Sequence, residues 1–385
     1  MKRIELIINP ISFMLLGTCY YIVSPSIFFF NDYFGLDFIK SVVGEYTNHS
    51  SGSIYTHHIY DFVIINVSFS LGFLLISMWG SKVTESNVQL QQEHVYLKLP
   101  IFILFFFSSV LLFVLIKAKV IGYQFFSGYA SYDISILGPL ATLCFMSMWF
   151  YIFFNKKYFL VFFLIVGILL LGSGSRMFFL LPLISLLLSQ LLKSKNNIIF
   201  YSFCFVLVTF FMLAVGLLRE GSEISFDGLL TIGFAEPIFT SIGTLFYFEK
   251  GWPAVGFPTD VIAAFINFVP SVIYTDKQTL MDALTLDKNV FNPLGAQSLL
   301  INLYKNFGYF YPVFMFILGS YFGFIFRYRL LIVFRTVYIM SLPLIIFHLQ
   351  REGFITVFKV MFFNGLLFPI LLKIFFSAFL KAKKG

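Results

Sequence analysis

Apolar runs of membrane-crossing length recur from one end of this chain to the other and leave little sequence for anything else. A hydrocarbon core about 30 Å thick takes roughly 20 apolar residues to cross as a helix. Within it every backbone N–H and C=O must be paired inside the spanning structure. Ten runs read as spans, at 6–30, 60–79, 99–116, 135–154, 158–171, 177–192, 198–218, 309–326, 332–349 and 354–376. The first is expected to be a retained span, since its apolar stretch is too long for a signal peptide and no small-residue cleavage site follows. Charged residues make up 11% of the chain, against about 25% in a soluble domain. A soluble globular protein is therefore excluded, and the expected fold class is an all-α polytopic membrane protein with about ten transmembrane helices.

Lys and Arg gather on cytoplasmic loops, and their distribution here orients the chain. With both termini cytoplasmic, the inward loops and ends hold Lys2, Arg3, Lys82, Lys98, Lys156, Lys157, Lys193, Lys195, Arg327, Arg329, Arg335, Lys381, Lys383 and Lys384 but only Glu5, Glu85 and Glu93. The outward segments hold more acids than bases, and the loop carrying Lys117 and Lys119 is the exception to the rule. The net charge of +8 thus lies at the ends of apolar segments, which argues against a nucleic-acid partner. Three parts follow: 1–218 with seven spans, an outward segment 219–308, and 309–385 with three spans and a basic tail. The segment 219–308 holds nine of the eighteen acids. Its semi-apolar stretches 228–248 and 254–273 carry Glu236, Pro237, Glu249, Pro258, Asp260 and Pro270, and charges inside a span are costly. Both are expected to be re-entrant or interfacial helices; if both crossed instead, the total would be twelve with the termini still inside, and charge counting is the same for either.

Three arginines fall at the outward edge: Arg176 after Gly172-Ser173-Gly174-Ser175, Arg219 at the opening of the long segment, and Arg351 in His348-Leu349-Gln350-Arg351-Glu352-Gly353. A guanidinium binds phosphate oxygens bidentately and stays charged, so a shared anion site is one reading. The other is that each arginine caps or snorkels at its own helix end. The Gly/Ser turn could bring backbone N–H groups close to an oxyanion, or serve as an ordinary tight connection. Proton acceptors are available in Glu220, Glu223, Asp227, Glu236, Glu249, Asp260 and His348. Glu236 leads because a carboxylate in an apolar stretch needs a partner, and an ion pair with one of the arginines is the alternative role. Phe246, Tyr247, Trp252 and Tyr304 could stack on sugar rings.

Other templates are absent: there is no His-Glu-x-x-His, Gly-x-Ser-x-Gly, Cys-x-x-Cys or P-loop pattern. Cys19, Cys144 and Cys204 lie in apolar runs without ligand-spaced neighbours, which speaks against disulfides and zinc. His57 and His58, before the second span, could bind a metal but read rather as a solvated pair.

Taken together, the Gly-Ser-Gly-Ser-Arg176 turn, Arg219, Glu236, Arg351 and the run from Pro293 to Tyr304-Lys305-Asn306-Phe307-Gly308, leading into a span with Gly319 and Gly323, resemble the O-antigen and capsular repeat-unit polymerases of the Wzy type. Many such polymerases carry a Glu two residues before the tyrosine, where this chain has Asn302, so the base is expected elsewhere. The resemblance implies glycosyl transfer on the periplasmic face of a bacterial inner membrane, with a growing glycan moved from undecaprenyl pyrophosphate to an undecaprenyl-pyrophosphate-linked repeat unit. It implies Arg176, Arg219 and Arg351 as pyrophosphate ligands, and Glu236, then Glu220 and His348, as base. Tyr304, Asn306 and Trp252 are the sugar-binding candidates. No metal or other cofactor is implied, and a chain-length-regulating co-polymerase is the expected protein partner. An O-antigen ligase shares the donor chemistry but is expected to use a loop histidine, and 219–308 contains none. A lipid-linked oligosaccharide flippase would need charges lining a path through the membrane, where only Lys359 lies well inside a late span.

Overall fold

A computed structural model describes residues 8–35, 40, 52–79, 99–120, 134–172, 176–193, 198–219, 225–249, 256–267, 274–284 and 297–382. Among the described residues every regular element is helical. In chain order these are α1 (Pro10–Phe30), α2 (Gly52–Met78), α3 (Leu99–Val120), α4 (Ile134–Phe154), α5 (Lys157–Gly172), α6 (Met177–Lys193), α7 (Ile198–Arg219), α8 (Phe226–Glu249), α9 (Thr259–Asn267), α10 (Lys277–Leu284), α11 (Leu299–Phe307), α12 (Tyr311–Arg327), α13 (Ile332–Ile346), α14 (His348–Arg351), α15 (Phe354–Phe362) and α16 (Phe368–Ala382). Eight stretches are long and apolar enough to cross a membrane by length and composition: α1, most of α2, α3, most of α4, α8, α11 with α12, α13 with α14, and α15 running into α16. α5, α6 and the first part of α7, Ile199–Phe211, are shorter apolar helices. Each of the ten expected runs overlaps one of these elements.

Residues 228–248 lie within a 24-residue helix, α8, about 36 Å long and one of the eight that are long and apolar enough to cross by length and composition. Glu236 and Pro237 do not break it, because other helices supply their partners. Within 254–273 the described helix is α9, nine residues and about 14 Å long. Tyr304 to Gly308, at the end of the expected outward segment 219–308, belong to α11 and a 3-10 turn at Gly308–Phe310 that joins it to α12. Gly308 makes the join at φ 54°, ψ −135°, a backbone conformation open to glycine and rarely to L side chains.

Contacts divide the chain into two compact units, Met1–Gly80, Ser225–Arg327 and Leu344–Phe362 in one, and Ser81–Ile224, Tyr328–Pro343 and Phe363–Gly385 in the other. In the first, α2 and α12 pack backbone to backbone. A Cβ on Gly319 would stand 2.0 Å from the Phe69 carbonyl oxygen, and one on Gly72 2.0 Å from that of Phe316. Small residues four apart, here Gly319 and Gly323, are the usual means of such close approach in membranes. Asn66 of α2 donates to Thr18 of α1 at 2.9 Å. In the second unit an aromatic core surrounds Trp149, stacked on Phe153 and edge-on to Phe150 and Phe368.

Candidate functional site

The first unit carries a polar cluster around the break between α14 and α15. Nε of Arg351 lies 2.6 Å from Oε1 of Glu236, and Nη1 lies 3.5 Å from Oε1 of Glu352. Two sequence candidates, the outward arginine and the carboxylate in the apolar stretch, thus meet on one guanidinium. Both remain partly open, at 25% for Arg351 and 32% for Glu236. Burial pushes the Glu352 carboxyl above its ordinary value, and the neighbouring Arg351 charge pulls it back in part.

Neighbouring elements hold this cluster from three sides. The 351–353 break is gripped by α11: Gln297 N–H donates to the Arg351 carbonyl at 2.7 Å, and Asn302 Nδ2 donates to the Glu352 carbonyl at 2.9 Å. A Cβ on Gly353 would meet Oε1 of Gln297 at 2.7 Å. Ser298 caps α11 by accepting from Ile301 N–H, and its hydroxyl accepts from Thr244 of α8 at 2.6 Å. Asn302 is therefore a clamp on the segment bearing Arg351.

The third side is α1, and it explains Pro237. A proline inside a helix has no N–H, so the carbonyl four residues earlier loses its helical partner. In α8 that carbonyl belongs to Gly233, and the Tyr20 hydroxyl donates to it. Tyr20 reaches it from a π-helical turn, Cys19–Val23, inside α1. π-turns insert an extra residue into a helix and are frequent at functional sites. Both Tyr20 and its neighbour Tyr21 feel the charges of Glu236 and Arg351. Tyr21, His58, Ser241, Thr244, Ser298 and Gln350 line a small cavity of about 10 Å³, close to the size of one water.

The remaining candidates are placed as follows. Arg176 precedes α6 in the second unit, where its carbonyl accepts from Phe179 and Leu180. Its guanidinium lies against Gly216 of α7, so close that a Cβ there would meet Nη1 at 2.0 Å. Arg219 ends α7, three residues on, and its side chain lies outside the described residues, as do Glu220, Trp252 and Ser173 to Ser175. His348 is buried in α14 at 1% exposure, and its carbonyl accepts from Glu352 N–H. Asn306 is fully buried: Nδ2 donates to Asp260 Oδ2 and to the Asn302 carbonyl, both at 2.9 Å, and Oδ1 accepts from Asp260 N–H at 2.9 Å. Lys305 Nζ sits 3.1 Å from Asp260 Oδ1, and both are buried. Asn306 thereby fastens α9 to α11. Tyr304 donates its hydroxyl to Asp61 at 2.9 Å. His57 and His58 do not form a solvated pair, since His58 is buried at 3% exposure while His57 is exposed.

Sequence reasoning passed over Tyr20, Gln297, Gln350 and Asp61. The signal available for Tyr20 was Pro237 itself, which announces an unpaired carbonyl without naming its donor.

The fold and cluster define a multi-pass all-α membrane protein with a partly open arginine–carboxylate site among its helices. The sequence profile of the family described as O-antigen polysaccharide polymerase Wzy matches residues 4–289, well over half of the chain, and the chain belongs to that family. Glu236 and both Arg176 and Arg219 lie within the matched stretch, and Arg351 lies beyond it. No curated protein matches the chain, and no solved structure does.

Proposed function

We propose that this polymerase transfers a growing glycan from undecaprenyl pyrophosphate to a sugar hydroxyl of a second undecaprenyl-pyrophosphate-linked repeat unit, at the periplasmic face of the inner membrane, with both termini cytoplasmic. The observation that carries the reading is the Arg351–Glu236 contact, 2.6 Å long and partly open, in a chain of this family. It joins an anion-binding cation to a proton acceptor.

The chemistry balances with these groups. The acceptor hydroxyl oxygen attacks the anomeric carbon of the donor, and its proton passes to a carboxylate. The bond from the anomeric carbon to the pyrophosphate oxygen breaks, and undecaprenyl pyrophosphate leaves with the electron pair. In the structure Arg351 already faces two carboxylates, Glu236 and Glu352. A pyrophosphate competes with Glu236 for the guanidinium, and the displaced carboxylate becomes available to the acceptor hydroxyl. Arginine neutralises the charge that develops on the leaving group, a contribution preorganised cations make well. Both donor and acceptor bring a pyrophosphate, and Arg176 and Arg219 are the further phosphate ligands. Glu220 and His348 stand behind Glu236 as acceptors of the proton. The reading includes a co-polymerase that sets chain length.

The test is genetic. In a host lacking the gene, wild-type protein restores the ladder of surface polysaccharide on a gel, and Arg351→Ala or Arg219→Ala at normal protein level leaves a single repeat on the core. A full ladder with either variant overturns the assignment of that arginine. Loss of every repeat, the single one included, in the gene deletion points instead to ligase or flippase activity.

A further inference from the structure

We infer that His57, facing Asp61 and flanked by Phe248, heads a sugar-binding subsite at the Phe248 end of α8, separate from the Arg351–Glu236 pair; the inference rests on the glycosyl-transfer reading above. Asp61 is a carboxylate in α2 with 1% exposure. Its Oδ1 accepts two hydroxyls, from Tyr304 at 2.9 Å and Tyr311 at 2.8 Å. Its Oδ2 has no hydrogen-bond partner among the described residues and lies 3.6 Å from Nδ1 of His57, one helical turn earlier. The two tyrosines fix the plane of the carboxylate and so aim Oδ2 at the imidazole. If the cluster served only to tie α2 to α11 and α12, a neutral acceptor would satisfy both hydroxyls without the cost of burying a charge.

The imidazole itself is 68% exposed and contributes little to packing. With a carboxylate on its Nδ1 side, the exposed imidazole offers a ring nitrogen and a flat face to a ligand. The ring lies nearly parallel to Phe248, 14° apart with centroids at 6.4 Å. Phe248 meets Tyr304 edge-on, and Tyr304 in turn meets Tyr309, whose ring is 85% exposed. The ligand that fits has hydroxyl donors beside apolar C–H faces, which is the surface of a sugar ring. An anion would be repelled by Asp61. A metal ion is poorly matched, since no group of three ligating side chains occurs among the described residues.

Position separates this subsite from the reaction. Phe248 is twelve residues beyond Glu236 in the same helix, about 18 Å along its axis. His57 is therefore too distant to take a proton at the bond being made beside Arg351. The spacing suits instead sugars further along an oligosaccharide whose reacting end is at Arg351.

The experiment uses the full-length protein in lipid nanodiscs and two readouts. One is saturation-transfer NMR with lipid-free oligosaccharide released by mild acid from the host's surface polysaccharide. The other is the kinetics of chain extension from lipid-linked repeat units. His57→Ala is expected to abolish the transfer signal and to raise KM about fivefold with kcat unchanged. Tyr309→Ala, at a side chain too exposed to threaten folding, is expected to weaken both in the same sense. A fall in kcat at constant KM, or unchanged binding in both variants, overturns the subsite. Arg351→Ala keeps the NMR signal and loses turnover if both readings hold. If Arg351→Ala still extends chains, the glycosyl-transfer site fails while the NMR result continues to judge the subsite.

Discussion

Glu236 and Arg351 are 115 positions apart in the chain, yet the carboxylate oxygen of one lies 2.6 Å from the guanidinium Nε of the other. Both side chains are partly open, so the pair is poised to exchange partners rather than sealed as a structural bridge. Replacing Glu236 by Gln keeps the shape and a hydrogen-bond acceptor but removes the basicity. Chain growth in the Glu236→Gln variant is expected to fall by at least about a hundredfold, the usual scale for a lost general base. Thermal unfolding of the purified protein should shift little. Near-normal extension of lipid-linked substrate would remove Glu236 from the proton transfer.

Tyr20 supplies the hydrogen bond that Pro237 denies to the Gly233 carbonyl. Tyr20→Phe leaves that carbonyl without its donor at little change in packing, which is expected to cost about 1 kcal/mol of stability. It should also loosen the part of α8 that carries Glu236. A melting curve in detergent and the KM for the repeat unit check both effects. The double variant Tyr20→Phe with Pro237→Ala, which restores the helical N–H, should recover most of the stability.

Lys305 and Asp260 form a salt bridge with 2% exposure on each side. Breaking a buried pair from one side costs about 3–5 kcal/mol because the other charge is left behind. Lys305→Met alone should therefore unfold early or fail to accumulate. Lys305→Met together with Asp260→Leu should regain much of the loss, and a double-mutant cycle on unfolding midpoints gives the coupling.

Gly319 has no room for a methyl group, since the obstacle is the backbone oxygen of Phe69 and not a flexible side chain. Gly319→Ala should force α2 and α12 apart at a cost of about 1–3 kcal/mol, read as a lowered melting temperature. A substitution at Gly138, where nothing lies within 4 Å of an added Cβ, is the matched control.

Glu352 gives a dependence on pH. Its carboxyl is raised in the folded protein, with burial the larger cause and Arg351 opposing it. The folded state thus holds this proton more tightly than the unfolded chain, so the stability it contributes is fully present below the ordinary carboxylate value and is lost as pH rises through the raised one. Glu352→Gln, permanently neutral, should match wild type near about pH 4 and become the more stable of the two toward about pH 8. Melting temperatures across that range decide it, and parallel curves would contradict the assignment.

Much of the architecture was legible in the residues because hydropathy is a local property. A run such as 99–116 must become a helix wherever it lies in lipid, and α3 at Leu99–Val120 follows. The reading weakened where an apolar stretch carried polar residues. Residues 228–248 carry Glu236 and Pro237 and still form the uninterrupted α8, because Arg351 and Tyr20 answer both from other helices. The turn at Gly308 that joins α11 to α12 likewise has no local hydropathy signal.

For the site, the sequence by itself determined which groups were candidates: an arginine at Arg351, a carboxylate with few neighbours at Glu236, and aromatics at Tyr304. Only the tertiary structure decided which of them meet. It joined Glu236 to Arg351, committed Tyr304 and Tyr311 to Asp61 across 243 and 250 positions, and buried Asn306 against Asp260. The physical reason is that a residue's apolar character acts wherever it sits, whereas a polar group away from water is stabilised only by the particular partner that packing brings within about 3 Å.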